Sequence, residues 1–333
     1  MNFRLNEDQR ALRAAVRDFC DGRVAFERLP ELARAGGVER ALWSELALLG
    51  VFGLRLPESE GGVGLGSADA VVVFSELGRR LVPGPILWTH LAAGLVPGAA
   101  AGDVVVGGVD LLGPAGPLLV EHPEALDRLL VLRPEGVQSL DARTLDFRPV
   151  APALDPLTPL GQLEALPAGE LVASPADARR LRLEGAALAA AGLLGLAEGA
   201  REIAVAYAKR REQFGRPIGG FQAVKHLLAD AFVREQAARA AVWAAGATLD
   251  QPAVGDVARA VASAKVVAGA AALQNARTCI QVHGGMGYTW QMPPHYYLKR
   301  AWVWELAFGV REEHEEAVAA HVAREALGAV AGL

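Results

Sequence analysis

The chain has 333 residues, 52% hydrophobic, 21% charged and only 6% aromatic, with a formal net charge of -5. That length allows two or three domains and a large core, and the acidic balance leaves no global basic field to gather nucleic acid or an anionic membrane. Cys20 and Cys279 are too few and too far apart for a disulfide scaffold or a zinc site.

The charged N-terminus, Met1 to Asp8, has no apolar core of the kind a signal peptide needs. The longest apolar run, Gly185 to Ala197, falls short of the roughly 18 residues of a membrane helix. A cytoplasmic protein is the expectation.

Helical periodicity opens the chain. Asn6 is a good N-cap, with Leu12, Val16 and Phe19 following at helical spacing. The pattern returns at Ala41–Leu49 and stops at Gly50; Gly61 to Gly66 reads as a structural turn, and Ser67 as the cap of a helix through Val71, Phe74 and Leu77. Pro83-Gly-Pro85 breaks that helix, and a short one is expected over Ile86–Leu95.

The period changes after Pro97. Short apolar runs at 103–107, 116–120, 128–132 and 136–140, cut by Gly and Pro, predict four or more strands, with the Pro-rich stretch Leu154–Leu160 as the exit. From Asp177 the chain is helical again, with helices predicted over 177–211, 219–248, 255–284 and 293–325; their Ala- and Leu-rich faces suit an antiparallel four-helix bundle. The expected architecture is mainly α with a small β domain: an N-terminal helical domain at 1–97, a shortened β domain at 98–176 and a C-terminal bundle at 177–333.

Two motifs carry chemistry. The first is Tyr207-Ala-Lys-Arg-Arg-Glu-Gln-Phe-Gly-Arg-Pro-Ile-Gly-Gly-Phe-Gln-Ala-Val-Lys-His226. Guanidinium groups offer planar forks of donors to a diphosphate, and an aromatic can cover a flat ring; the alternative is an ordinary basic helix end before Gly215 and Pro217. The second is Gln281-Val-His-Gly-Gly-Met-Gly-Tyr288, whose paired glycines let a ligand approach the backbone. His283 and His314 have no partner at metal-ligand spacing, so no metal site is expected. Glu312, Glu313, Glu315 and Glu316 read as a solvated helix face.

Together with the element order, these motifs resemble the acyl-CoA dehydrogenase family over nearly the whole chain. The resemblance implies an FAD-dependent α,β-dehydrogenation of an acyl-CoA thioester, usually reoxidised by an electron-transfer flavoprotein. It assigns the flavin diphosphate and adenosine to Arg211, Gln213 and Phe214, with Ile218 and Phe221 lining the same pocket, and the adenine-side half to Gln281, Gly284 and Gly285.

Two family features are missing. The β-region segments that cradle the isoalloxazine ring and the thioester are not found between Leu95 and Pro175. The common family base, a Glu near the chain's end, aligns with Phe308 of Leu298-Lys-Arg-Ala-Trp-Val-Trp-Glu-Leu-Ala-Phe-Gly309; Val310, Arg311 and Glu312 replace the usual adenine-contacting residues. A rarer family position for the Glu lies one residue after Glu184, a turn of roughly 100° around the helix. Glu184 and Glu305 remain as weak candidate bases. The chain therefore resembles the short subunits of heterotetrameric actinobacterial steroid side-chain acyl-CoA dehydrogenases. The leading reading is a subunit whose full-length partner supplies the Glu and the ring cradle. A self-sufficient homo-oligomer using Glu305 or Glu184, and a flavin-free scaffold or acyl-thioester-binding subunit, stay open beside it.

Overall fold

The computed structural model describes residues 4–331. Five helices come first: α1 (Glu7–Arg23), α2 (Leu29–Arg34), α3 (Arg40–Leu48), α4 (Ser67–Arg79) and α5 (Ile86–Ala92). Asn6 caps α1 as expected, its side chain accepting from the Gln9 backbone amide at 2.8 Å while Gln9 returns a bond to the Asn6 amide. Ser67 does not cap α4. The cap is Gly66, held by Asp69, and the open amides of Ser67 and Ala68 donate to the Asp250 carboxylate at 2.7 and 2.8 Å. A distant carboxylate at the helix's positive end displaced the local hydroxyl, which instead accepts from Arg55 at 3.2 Å.

Seven strands follow: β1 (Val106–Asp110), β2 (Leu118–Glu121), β3 (Arg128–Arg133), β4 (Gly136–Asp141), β5 (Arg148–Val150), β6 (Leu160–Leu163) and β7 (Glu170–Ala173). They form a four-stranded sheet, β1-β3-β4-β7, with β1 parallel to β3, and a three-stranded antiparallel sheet, β2-β6-β5. The Pro-rich Leu154–Leu160 is not an exit: it leads into β6, and β7 completes the first sheet. Those last strands are short and half-exposed, so their apolar pattern is weak in sequence.

α6 (Pro175–Arg210), 36 residues long, starts at the Ser174–Asp177 capping box. A two-residue hairpin, β8 (Glu212–Gln213) and β9 (Arg216–Pro217), then leads into α7 (Gln222–Asp250), α8 (Val257–His283), α9 (Pro294–Leu306) and α10 (Arg311–Ala331). The helix predicted over 293–325 is thus two helices. The break carries left-handed residues, Phe308 at φ 56° and Gly309 at φ 109°. Buried Lys265 of α8 donates to the carbonyls of Trp304, Glu305 and Ala307 at 2.8–3.1 Å, satisfying the end of α9 where the helix stops.

α6 is the axle. Its most apolar 18-residue window is 94% buried inside the protein. Its glycines let neighbours touch its backbone: a Cβ at Gly195 would collide with the Ser75 carbonyl of α4, and one at Gly192 with the Trp304 ring. The α1–α4–α6–α7 junction is an ion network. Glu76, 1% exposed, receives Arg13 at 2.6 Å and Arg17 at 2.9 Å; Glu198 receives Arg17 at 2.5 Å and Arg239 at 2.8 Å; buried Glu235 pairs with Arg239 and Arg201.

Burial alone would raise the Glu198 pKa, but Arg13, Arg239 and Arg17 hold it near 2. With a folded value below the unfolded one, this stabilisation is complete above about pH 4.5 and fades as pH falls toward 2. Glu198→Gln should cost about 3 kcal/mol in urea unfolding at pH 7, because the arginines keep their burial and lose their counter-charge. The gap from the unsubstituted chain should narrow as unfolding is repeated below pH 4.5; a gap constant with pH would remove Glu198 from the network.

Candidate functional site

The first motif is a strained, outward-facing hairpin. α6 stops at Arg210, earlier than predicted, and Arg211 is its C-cap. The two-residue turn is Phe214-Gly215, both at positive φ (54° and 77°), as a type I′ hairpin requires. A phenylalanine in that conformation is unusual and points to function. The Phe214 ring is 92% exposed, its centroid 6.1 Å from that of half-buried Phe221. Arg216 lies over the Phe221 ring at 4.1 Å.

Lys209, Arg210, Arg211, Arg216 and Lys225 are all exposed around this turn, with Glu212 as the acid among them. The Arg211 guanidinium has no side-chain partner among the described residues. α7 begins beside the hairpin with no side-chain cap, so the orphan amides of a 29-residue helix add their partial positive charge to the basic cluster. Half-buried Ile218 links the pieces: its amide donates to the Arg211 carbonyl at 2.8 Å.

The second motif ends α8. Gln281 is exposed on the last turn. Gly284 sits at φ 60°, ψ -142°, a conformation available essentially to glycine. At Gly284 and Gly285 an added Cβ would meet nothing within 4 Å, so the backbone is open to an approaching ligand. The two motifs meet at their roots: Tyr207 of α6 stacks on His283 of α8, with centroids 4.1 Å apart and planes 25° from parallel.

A second region lies between α5, β1 and α6, where the chain is filled rather than open. Phe308 is buried and its ring rests against Gly185 of α6: a Cβ there would come within 2.5 Å of the ring carbons. On its other side stands Trp88 of α5, with centroids 4.7 Å apart, and Trp88 in turn covers Gly108 of β1 so closely that a Cβ there would collide with the indole. His314 of α10 holds the Phe308 carbonyl at 3.1 Å. Glu313 is not simply a solvated residue: it pairs with Arg182, which also binds Asp110 at the end of β1.

Beside this plug a cavity of about 310 Å³ is lined by Arg55, His90, Leu91, Arg180 and Leu181, among others. Its polar groups are already paired. Glu184 is 6% exposed and accepts from Arg55 at 2.7 Å and Arg180 at 2.9 Å. Burial pushes its pKa up, but the two guanidiniums outweigh it and leave the carboxyl below its ordinary value. Burial and Arg55 push His90 down to about 4; its Nδ1 donates to the Val51 carbonyl at 2.8 Å and its Nε2 accepts from Arg55. Glu305 lies on α9 over Gly269, where an added Cβ would meet its carboxylate at 3.4 Å; burial raises its pKa while Lys265 lowers it.

Residues 6–103 match the acyl-CoA dehydrogenase N-terminal domain and residues 179–323 the acyl-CoA dehydrogenase C-terminal domain. The chain belongs to the acyl-CoA dehydrogenase family, and so to its oxidoreductases. It is 37% identical over 280 residues to acyl-CoA dehydrogenase FadE34 of Mycobacterium tuberculosis, a match covering 79% of this chain but only 39% of that protein. It is 36% identical to acyl-CoA dehydrogenase IpdE2 of the same organism, covering 89% of this chain and 91% of that one. The fold matches a chain in the crystal structure of the ChsE4-ChsE5 complex from M. tuberculosis with a TM-score of 0.83 and 25% identity, over 97% of this chain and 99% of the other.

The sequence resemblance led to Phe308 and Gly185 as the two places where a family base was expected, and the structure packs these two residues against each other. Sequence comparison located both positions but not their contact. Missed altogether were the Tyr207–His283 stack, the uncapped start of α7 and the packing of Trp88 between Phe308 and Gly108. The usable signals were a glycine within the alanine run of α6 and the Phe-Gly pair at 308–309.

Gly185→Val should destabilise by about 1–3 kcal/mol through overpacking, and Phe308→Ala by about 3–5 kcal/mol through the cavity it leaves. The double variant should cost clearly less than the sum, because the valine enters the space the ring vacated. Additive costs in a denaturation cycle would mean that the two residues do not share that space.

Proposed function

We propose that this chain is a subunit of a hetero-oligomeric, FAD-dependent acyl-CoA dehydrogenase that desaturates an acyl-CoA thioester between its α- and β-carbons. In this reading it lends Arg211, Gln213, Phe214, Ile218, Phe221, Gln281, Gly284 and Gly285 to a flavin whose ring sits on a full-length partner, and the partner supplies the catalytic Glu. The observation that carries the reading is the packing of Phe308 on Gly185. In this reading a phenyl ring and a glycine occupy both places where a family base would stand, and neither can take a proton from the α-carbon.

The diphosphate half of FAD fits what the chain presents: exposed guanidiniums, an open helix N-terminus and glycine backbone with free space above it. The ring half does not fit, because Trp88, Phe308 and Gly185 fill the cleft. When bound, the flavin accepts the hydride from the β-carbon; an electron-transfer flavoprotein is the proposed acceptor, and a steroid side-chain or similarly bulky thioester the proposed substrate class. Support comes from the likeness to a chain of a two-component complex. It also comes from FadE34, whose unmatched part is longer than this entire chain, room for a second unit on one polypeptide. The homo-oligomeric alternative needs Glu184 or Glu305 as base, and Glu184 is committed to two arginines.

Expressed alone, the chain should be colourless; co-expressed with a full-length acyl-CoA dehydrogenase partner from the same genome, it should form a yellow hetero-oligomer with fewer flavins than subunits by absorbance and native mass. A yellow, active homo-oligomer of this chain alone would reject the proposal. In the complex, Arg211→Ala should weaken FAD binding about 10- to 100-fold, the worth of one charge-assisted hydrogen bond. Glu184→Gln and Glu305→Gln should leave turnover within about twofold of the unsubstituted complex.

A further inference from the structure

The two flavin-facing segments arise from the ends of separate helices, α6 and α8, and each then turns out into open space. Any ligand spanning them needs their spacing fixed to within a fraction of an ångström. The Tyr207–His283 stack joins the two helix ends directly.

The backbone of Tyr207 and the ring of His283 are each held by hydrogen bonds. The Tyr207 carbonyl accepts from the Arg211 amide at 2.8 Å, and the Arg211 carbonyl accepts from the Ile218 amide at 2.8 Å. The position of Tyr207 is thereby passed to the hairpin and to the start of α7. His283 is 5% exposed, and its Nδ1 lies 2.8 Å from the Cys279 carbonyl. A carbonyl only accepts, so Nδ1 carries the proton and the ring is locked to the last turn of α8. The turn that follows wraps tightly on the same residue: a Cβ at Gly287 would meet the Ile280 carbonyl at 2.7 Å and the His283 Cβ at 3.2 Å. Burial lowers the His283 pKa, consistent with a neutral ring.

We propose that His283, stacked on Tyr207, is a positioning residue that holds the Arg211–Phe221 segment and the Gln281–Gly285 turn in register for one flavin nucleotide. The proposal rests on the flavin reading above. The ring face does the positioning, and the Nδ1 hydrogen bond orients the ring.

The test uses the hetero-oligomer with its partner and FAD as the titrant, well below the unfolding temperature. His283→Ala should raise the Kd for FAD about tenfold, speed FAD release, and change the visible circular dichroism of the bound flavin. His283→Phe, which keeps a stacking face, should hold the Kd within about threefold. Tyr207→Leu, acting from the other side, should reproduce the alanine effect. A purely structural role would lower the melting temperature of all three variants and leave Kd and dichroism unmoved, which overturns the proposal. Failure of both His283→Ala and Tyr207→Leu to assemble would overturn it as well, because the stack would then be needed for folding. If Arg211→Ala also leaves FAD binding unchanged, the flavin reading fails; if Arg211→Ala weakens it and His283→Ala does not, only the positioning role fails.

Discussion

Everything in this molecule leans on one long helix rich in small residues. α6 runs for 36 residues, and through its middle it is alanine, glycine and leucine. The glycines admit neighbours to the backbone: Gly185 the Phe308 ring, Gly192 the Trp304 ring, Gly195 the Ser75 carbonyl, and Gly199 the Arg79 carbonyl and Tyr297. Close approach of this kind gains dispersion contacts and leaves little room for adjustment. The N-terminal helices, the first sheet and the bundle are therefore placed relative to one another by what touches α6. The buried ion network of Glu76, Glu198 and Glu235 with five arginines then fixes the outer helices on that axle.

The same helix separates two fates. At its N-terminal half an aromatic packs on a glycine and Glu184 is tied to Arg55 and Arg180. At its C-terminal end stands an open, basic, strained hairpin beside an uncapped helix. Strain and exposed aromatic surface carry a stability cost that a purely structural helix end has no reason to bear. The proposed role on a neighbour's cofactor draws on this contrast between a filled inner region and an open outer surface.

Local signals were legible where the physics is local. The Asn6 capping box, the stop at Gly50, the Pro83-Gly-Pro85 break and the start of the bundle follow from side chains within a few residues of each other. Reading failed where a distant group decided. Asp250 took the amides that Ser67 was expected to serve. Lys265 satisfied the end of α9 and allowed the chain to turn at Phe308, splitting a helix whose periodicity ran on without a visible stop. Strands β5 to β7 were lost among prolines because short half-exposed strands alternate too weakly to register.

The sequence by itself determined the family and the mainly helical architecture, because motifs and helical periods are written in near-neighbour spacing. The tertiary structure decided which distant residues meet. That Phe308 lies on Gly185 under Trp88, and that Tyr207 meets His283 across two helix ends, are contacts between residues 70 or more positions apart. No local rule encodes them. They follow from how closely a helix of small residues lets its neighbours approach.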